Sequence, residues 1–276
     1  MQLMILEFFE SIRTDMLTLI MTIVTMMAEE LFVVGILAGL YWCIDKKVAT
    51  RLGWCLLFSL VGNGIIKNLV KMPRPFEVEA IVPLRPETAT SYSFPSGHTQ
   101  IATSFWVTAM FAIKTRPVKI IGSIIILLTA ISRLYLGVHW PMDVVGGIIF
   151  GVILTILGFK LLDEECSITI KHVVGVSIVL LVSLCLKVDA DLYKSVATFW
   201  GLSIGVYIEQ KYIKFIPYQS KKTQIKKVLI GVAGVVVIYI GMRGLLQNVK
   251  VIDIIKYAGI MVWITAGAPY FFKKIK

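Results

Sequence analysis

Apolar runs approaching twenty residues recur along the whole of this 276-residue chain. A helical run of that length crosses roughly 30 Å of hydrocarbon, so such a pattern leaves few folds open. Hydrophobic residues make up 57% of the sequence and the mean hydropathy is +0.83. A soluble domain of this size is less apolar. The expected fold class is all-α, a polytopic integral membrane helical bundle.

About nine spans are predicted from residue 28 onward, and ten if the segment before it also crosses. They cover 28–44, 52–70, the stretch 91–100 onward to 113, 118–136, 141–160, 168–186, 194–209, 228–247 and 256–272. Residues 1–27 read as interfacial or re-entrant helices. Residues 28–162 form an expected core, and 163–276 an expected four-span extension. The net charge of +11 raises the question of nucleic acid, but the cations fall in short connections between apolar runs. The basic connections 45–51, 114–119, 211–227 and 273–276 all lie on one side if nine spans are counted, as the positive-inside rule requires. That side is cytoplasmic and includes the C-terminus. No nucleic-acid partner is expected. The N-terminus carries Glu7, Glu10 and Asp15 rather than a basic stretch, so no cleavable signal peptide is expected. Cys43, Cys55, Cys166 and Cys185 have neither metal-ligand nor disulfide spacing and read as packing residues.

The opposite side gathers the unusual residues. Lys67 lies inside the second span, and Arg74 follows it after six intervening residues. Arg133 lies near the end of the fourth span, with His139 and Asp143 beyond it, and His98 opens the third. A cation within a span costs roughly 2.5–3.5 kcal/mol at mid-membrane. Clustering three of them makes sense if an anion occupies the cluster. Lys71 alone reads as a side chain snorkelling to the interface.

The stretch SYSFPSGHTQ, residues 91–100, begins a span with Pro95, Ser96, Gly97 and His98. Proline turns the chain into the membrane, serine suits the N-cap, and glycine permits close approach of a ligand. A helix N-terminus presents free N–H groups to phosphate. His98 then stands where a proton can be given or taken. His139 and Asp143 are i and i+4. Asp143 is placed to accept from one imidazole nitrogen, leaving the other free to attack. Pro141 suits the first turn of the fifth span.

Lys67, Arg74 and Pro75 (K-x6-RP), Pro95 to His98 (PSGH), and Ser132, Arg133, His139 and Asp143 (SR-x5-H-x3-D) resemble the three signature motifs of the type 2 phosphatidic acid phosphatase family. Vanadium haloperoxidases and glucose-6-phosphatase share them. The resemblance covers about residues 28–160. It implies a metal-independent phosphatase with no cofactor. His139 would attack phosphorus and become a phosphohistidine, Asp143 would orient it, and His98 would protonate the leaving oxygen. Lys67, Arg74, Ser96, Gly97 and Arg133 would hold the phosphoryl oxygens. The four extra C-terminal spans are similar in layout to sphingosine-phosphate phosphatases.

The expected function is hydrolysis of a lipid phosphate or pyrophosphate at the extracytoplasmic face of the plasma membrane. A soluble phosphate ester, or phosphate-lipid binding without cleavage, are the alternatives. The partners expected are the bilayer and the lipid phosphate; a homodimer through the tail is left open. Glu77, Glu79 and Glu87 read as a solvated or substrate-rim face. Glu29 and Glu30 read as structural or interfacial, or as partners of the basic site, and Arg85 as a further contact for a lipid phosphate. His172 reads as interfacial. Gly35 and Gly39, Gly147 and Gly151, and Gly201 and Gly205 read as helix-packing pairs.

Overall fold

The computed structural model describes residues 1–78, 81–243 and 250–274, with Arg243 by its backbone alone. Glu79, the segment 244–249 that includes the end of the expected span 228–247, and Lys276 lie outside the described residues. Twelve α-helices follow in order among the described residues: α1 (Gln2–Ser11), α2 (Asp15–Met26), α3 (Glu30–Cys43), α4 (Lys46–Val70), α5 (Gly97–Ile113), α6 (Arg116–Tyr135), α7 (Pro141–Lys160), α8 (Ile170–Cys185), α9 (Ala190–Ile208), α10 (Lys221–Arg243), α11 (Lys250–Val262) and α12 (Ala268–Phe272). No strand occurs among them. The all-α expectation holds.

Among the described residues five helical stretches are long and apolar enough to cross a bilayer, six if the bent pair α2 and α3 counts as one. That pair is bent by 48°. The count therefore falls short of the expected nine on length and composition. Helix α5 has 17 residues and α8 has 16, each shorter than the roughly 20 of a typical span, and α9 has 19 but is less apolar. Helix α4 starts six residues before its expected first residue, because Asp45 Oδ1 accepts from the backbone N–H groups of Lys47 (2.8 Å) and Val48 (3.1 Å). Those bonds satisfy two of the orphan donors at a helix start.

The chain divides into two compact units. The first comprises 1–34 and 58–158. In it α7 meets α5 through glycines: a Cβ on Gly147 would lie 2.8 Å from Ser96 O, and one on Gly151 2.7 Å from Thr103 Cβ. This close approach is what the small-residue spacing is for. A buried cluster of Ala89, Tyr135, Leu136 and Val138 is covered by Phe9 of α1 and by Leu17 and Met21 of α2.

The second unit comprises 35–57 and 159–276. Gly201 and Gly205 of α9 lie against Ala258 and Thr265, as expected of a packing pair. Gly35 and Gly39 differ: no described atom lies within 4 Å of where a Cβ would stand, so no neighbour uses their smallness. His172 caps α8, its Nδ1 3.0 Å from the Thr169 backbone nitrogen, and its ring packs edge-on against Trp54. Lys46 pairs with buried Glu209 at 2.7 Å. The four cysteines are free thiols.

Candidate active site

All eight residues singled out for catalysis and phosphate binding fall in the first unit. The chain order explains why they meet. Lys67 is in the last turn of α4, His98 in the first turn of α5, Arg133 in the last turn of α6 and Asp143 in the first turn of α7. Up-and-down helices bring alternate ends together, so these four turns share one end of the bundle.

The turn from α6 into α7 sets His139. Gly137 has φ +69°, a conformation side chains rarely adopt. A Cβ there would also stand 2.6 Å from Ile81 Cγ2. His139 follows, 1% exposed, one helical turn before Asp143. Its Nδ1 lies 3.2 Å from Asp143 Oδ2, and its Nε2 lies 3.2 Å from Arg74 Nη1. Arginine only donates, so Nε2 accepts and Nδ1 carries the proton given to Asp143. Burial, reinforced by Arg74, Arg133, Lys67 and His98, holds the His139 imidazole well below its ordinary pKa. It is therefore neutral at physiological pH, with one lone pair on Nε2.

Asp143 is fully buried and held from three sides. Oδ2 accepts from the Trp140 backbone N–H at 2.7 Å and from the Ser93 hydroxyl at 2.5 Å, besides His139. Its backbone carbonyl accepts from Ser96 N–H at 2.9 Å, which ties the third motif to the second. Ser93 was not legible as a site residue, because it sits outside every motif and only the fold brings it to Asp143.

The cations are anchored by the loop 71–96. Arg74 donates from Nε to Ser91 O (2.7 Å) and from Nη1 to Val138 O (2.8 Å). Lys67 Nζ donates to Ser91 Oγ (2.9 Å) and Tyr92 O (2.7 Å). Arg133, fully buried, donates from Nη1 to Thr25 Oγ1 at 2.8 Å and from Nη2 to Thr88 Oγ1 at 3.4 Å. Its Nε is buried without a protein partner, and so is His98 Nε2. Two unsatisfied nitrogens at one cationic site are costly unless a ligand takes them. They fit an anion.

Ser96 sits at the N-cap position of α5, as expected, but its hydroxyl does not cap the helix. It accepts from Thr99 Oγ1 at 3.0 Å instead. The first-turn N–H groups of α5 thus keep no side-chain acceptor from that residue. A Cβ on Gly97 would meet only Asn63 Oδ1, at 3.9 Å. Nothing in the protein forces glycine there, which suits an approach reserved for a ligand. Beneath the turn, Asn63 donates to Gln100 Oε1 (2.7 Å) and Pro95 O (3.3 Å), and Gln100 donates to Ser59 O (2.8 Å). This buried amide chain fixes the PSGH turn on α4. Ser132 donates back to Thr129 O at 2.7 Å and serves its own helix.

The rim residues pair with one another and with the site's backbone. Arg85 pairs with Glu29 at 2.8 Å and Glu87 at 3.3 Å. Glu77 accepts from the Arg74 backbone N–H at 2.6 Å. Among the described residues, no three His, Cys, Asp or Glu side chains are grouped to hold a metal ion.

The family described as the PAP2 superfamily matches residues 48–165, and the PAP2 superfamily phosphatase transmembrane extension matches 193–276. Phosphatidylglycerophosphatase B of Bacillus subtilis is 33% identical over 169 residues, 56% of this chain and 79% of that one. The chain belongs to the PAP2 superfamily of phosphatases. An undecaprenyl-diphosphatase of Sulfolobus acidocaldarius is 30% identical over 42% of this chain and 56% of its own length. Human sphingosine-1-phosphate phosphatase 2 is 27% identical over 48% of this chain and 35% of its own length. The match thus spans little more than half of the archaeal relative and a third of the human one. The crystal structure of the transmembrane PAP2-type phosphatidylglycerolphosphate phosphatase from Bacillus subtilis superposes with a TM-score of 0.51 at 28% identity, covering 60% of this chain and 86% of that one. The spanning helices and this likeness make the chain an integral membrane protein.

Proposed function

We propose that the protein hydrolyses a lipid phosphate or diphosphate by way of a phosphohistidine. The observation that carries this reading is the state of His139: neutral, its Nδ1–H directed to Asp143 Oδ2 and its Nε2 lone pair beside Arg74. Binding alone has no need of a nucleophile held in one tautomer.

In the first step Nε2 of His139 forms a bond to phosphorus as the bond from phosphorus to the leaving oxygen breaks. His98 gives its proton to that oxygen. Arg74, Lys67, Arg133, the Ser96 hydroxyl and the Gly97 N–H take the charge on the equatorial oxygens, the main demand of phosphoryl transfer. In the second step water attacks the phosphohistidine, His98 takes the water's proton, and phosphate leaves with His139 restored.

The lipid class is drawn from relatives named for a diphosphate, a glycerophosphate and a sphingoid phosphate. Nine crossings from residue 28, an extracytoplasmic site in the plasma membrane and a cytoplasmic C-terminus form the topology that accompanies this reading. It rests on the basic connections. The division into a phosphatase core over 28–162 and an extension over 163–276 belongs to the same proposal.

The deciding experiment is phosphate release by purified protein in detergent with EDTA, beside His139→Ala. The substrates are phosphatidic acid, phosphatidylglycerophosphate, sphingosine phosphate, a polyprenyl diphosphate and glucose 6-phosphate. Release from lipids that vanishes in the variant supports the reading. Faster release from glucose 6-phosphate would replace the lipid by a soluble ester. Phosphate binding without release would make the protein a carrier. Loss of activity in EDTA would overturn the metal-free mechanism.

A further inference from the structure

Helix α2 presents one face to the end of α6. Thr14, Leu17, Thr18, Met21 and Thr25 recur at the three- and four-residue spacing that stacks side chains on one side of a helix. Leu17 and Met21 pack on the cluster around Tyr135. Thr18 Oγ1 lies 2.8 Å from Tyr135 Oη, and the Thr14 backbone N–H donates to the same oxygen at 3.2 Å. Arg13 fastens the start of α2 by donating to Tyr135 O (3.0 Å) and Val82 O (2.8 Å). At the far end of the face, two residues back along α6 from Tyr135, Thr25 receives the hydrogen bond from Arg133 Nη1 at 2.8 Å. Both side chains are fully buried.

A buried guanidinium needs its donors placed, because an arginine free to rotate must be ordered when the phosphate arrives. Thr25 and Thr88 hold two of its nitrogens, and the third, Nε, has no protein partner. Thr25 lies outside residues 48–165, where the family match falls.

We propose that Thr25 is a positioning residue that orients Arg133 toward the phosphoryl group, so that the N-terminal helices are part of the phosphatase site. This rests on the phosphate-binding role given to Arg133 above. Thr25 acts through Arg133 and touches no substrate itself.

The test compares Thr25→Val, Thr25→Ser and Arg133→Ala in lipid phosphate hydrolysis and in inhibition by vanadate, an analogue of five-coordinate phosphorus. Losing a hydrogen bond to a charged group is expected to lower kcat/KM and weaken vanadate inhibition by about tenfold or more in Thr25→Val. Thr25→Ser keeps the hydroxyl and is expected to recover most of both. In the Arg133→Ala background the Thr25→Val substitution should add nothing further, since its partner is gone. Wild-type kinetics in Thr25→Val beside an impaired Arg133→Ala overturns the inference and leaves the site reading intact. An unimpaired Arg133→Ala overturns the reading on which it rests. Where Thr25→Val does not fold, Thr25→Ala against Thr25→Ser decides. Activity that follows the hydroxyl supports the inference, and equal activity in the two overturns it.

Discussion

Arg74 Nη1 stands 3.2 Å from Nε2 of His139, and this contact assigns the imidazole its tautomer. A permanent donor on one side leaves Nδ1 as the protonated nitrogen, 3.2 Å from Asp143 Oδ2. The arginine therefore marks the spot a phosphoryl group would share with the nucleophile. It also prevents the ring from taking the unreactive form.

Asp143→Asn replaces the charged acceptor of Nδ1–H with a neutral amide, which loosens the orientation of the ring while Arg74 still faces Nε2. Its kcat is expected to fall by about 10²–10⁴, the range for a positioned acid–base group. His139→Ala should lose turnover entirely while still binding vanadate. Steady-state kinetics on the two variants checks this; an Asp143→Asn enzyme within a few-fold of wild type would refute the orienting role of Asp143.

Ser93 donates to the same carboxylate oxygen at 2.5 Å. Removing the hydroxyl with Ser93→Ala leaves Asp143 Oδ2 the Trp140 N–H and His139 alone. A loss of about tenfold in kcat with little change in KM is expected, because the bond is to a charged group that orients the nucleophile rather than to substrate. Equal changes in kcat and KM, or none, would remove Ser93 from the site.

The pH dependence has a definite sign. In the proposed mechanism His139 attacks as the neutral imidazole, and burial beside Arg74, Arg133 and Lys67 lowers its pKa well below the usual 6.5. As pH falls through 6.5 an ordinary imidazole would protonate, but this one stays neutral. The acid limb of kcat/KM due to His139 is expected below pH 6.5. A pH–rate profile with Arg74→Ala as comparison checks the cause: removing that cation should move the limb upward.

Gly147→Ala tests the seat of the PSGH turn. The new Cβ would lie 2.8 Å from the Ser96 carbonyl oxygen and 3.0 Å from Thr99 Cβ, so backbone has to move. A destabilisation of about 1–3 kcal/mol is expected from this overpacking, seen as a lower Tm in detergent. Because Ser96 N–H also bonds Asp143 O, activity should fall with it. Gly175→Ala, where no described atom lies within 4 Å, is the control and should change neither.

Much of the fold was legible because its physics is local. Helix length and apolarity follow from chain composition, and α7 begins at Pro141 as read from the first-turn preference of proline. The three motifs were legible for a different reason. Phosphoryl chemistry demands particular side chains, and cations within spans stand out against hydrocarbon. The span count was less accessible, because α5 and α8 are short, α9 is less apolar, and α2 and α3 meet at a bend of 48° that apolarity alone does not announce.

By itself the sequence determined the class of structure and the cast of charged residues, since both depend on what a residue is. Only the tertiary structure decided how each is held. Ser93, Thr25, Asn63 and Gln100 are ordinary polar residues outside the motifs. They acquire their places because α2, α4 and the loop 71–96 converge on the ends of α6 and α7. A buried charge has to find its hydrogen bonds wherever the fold supplies them, and the spacing along a chain does not say which distant hydroxyl that will be.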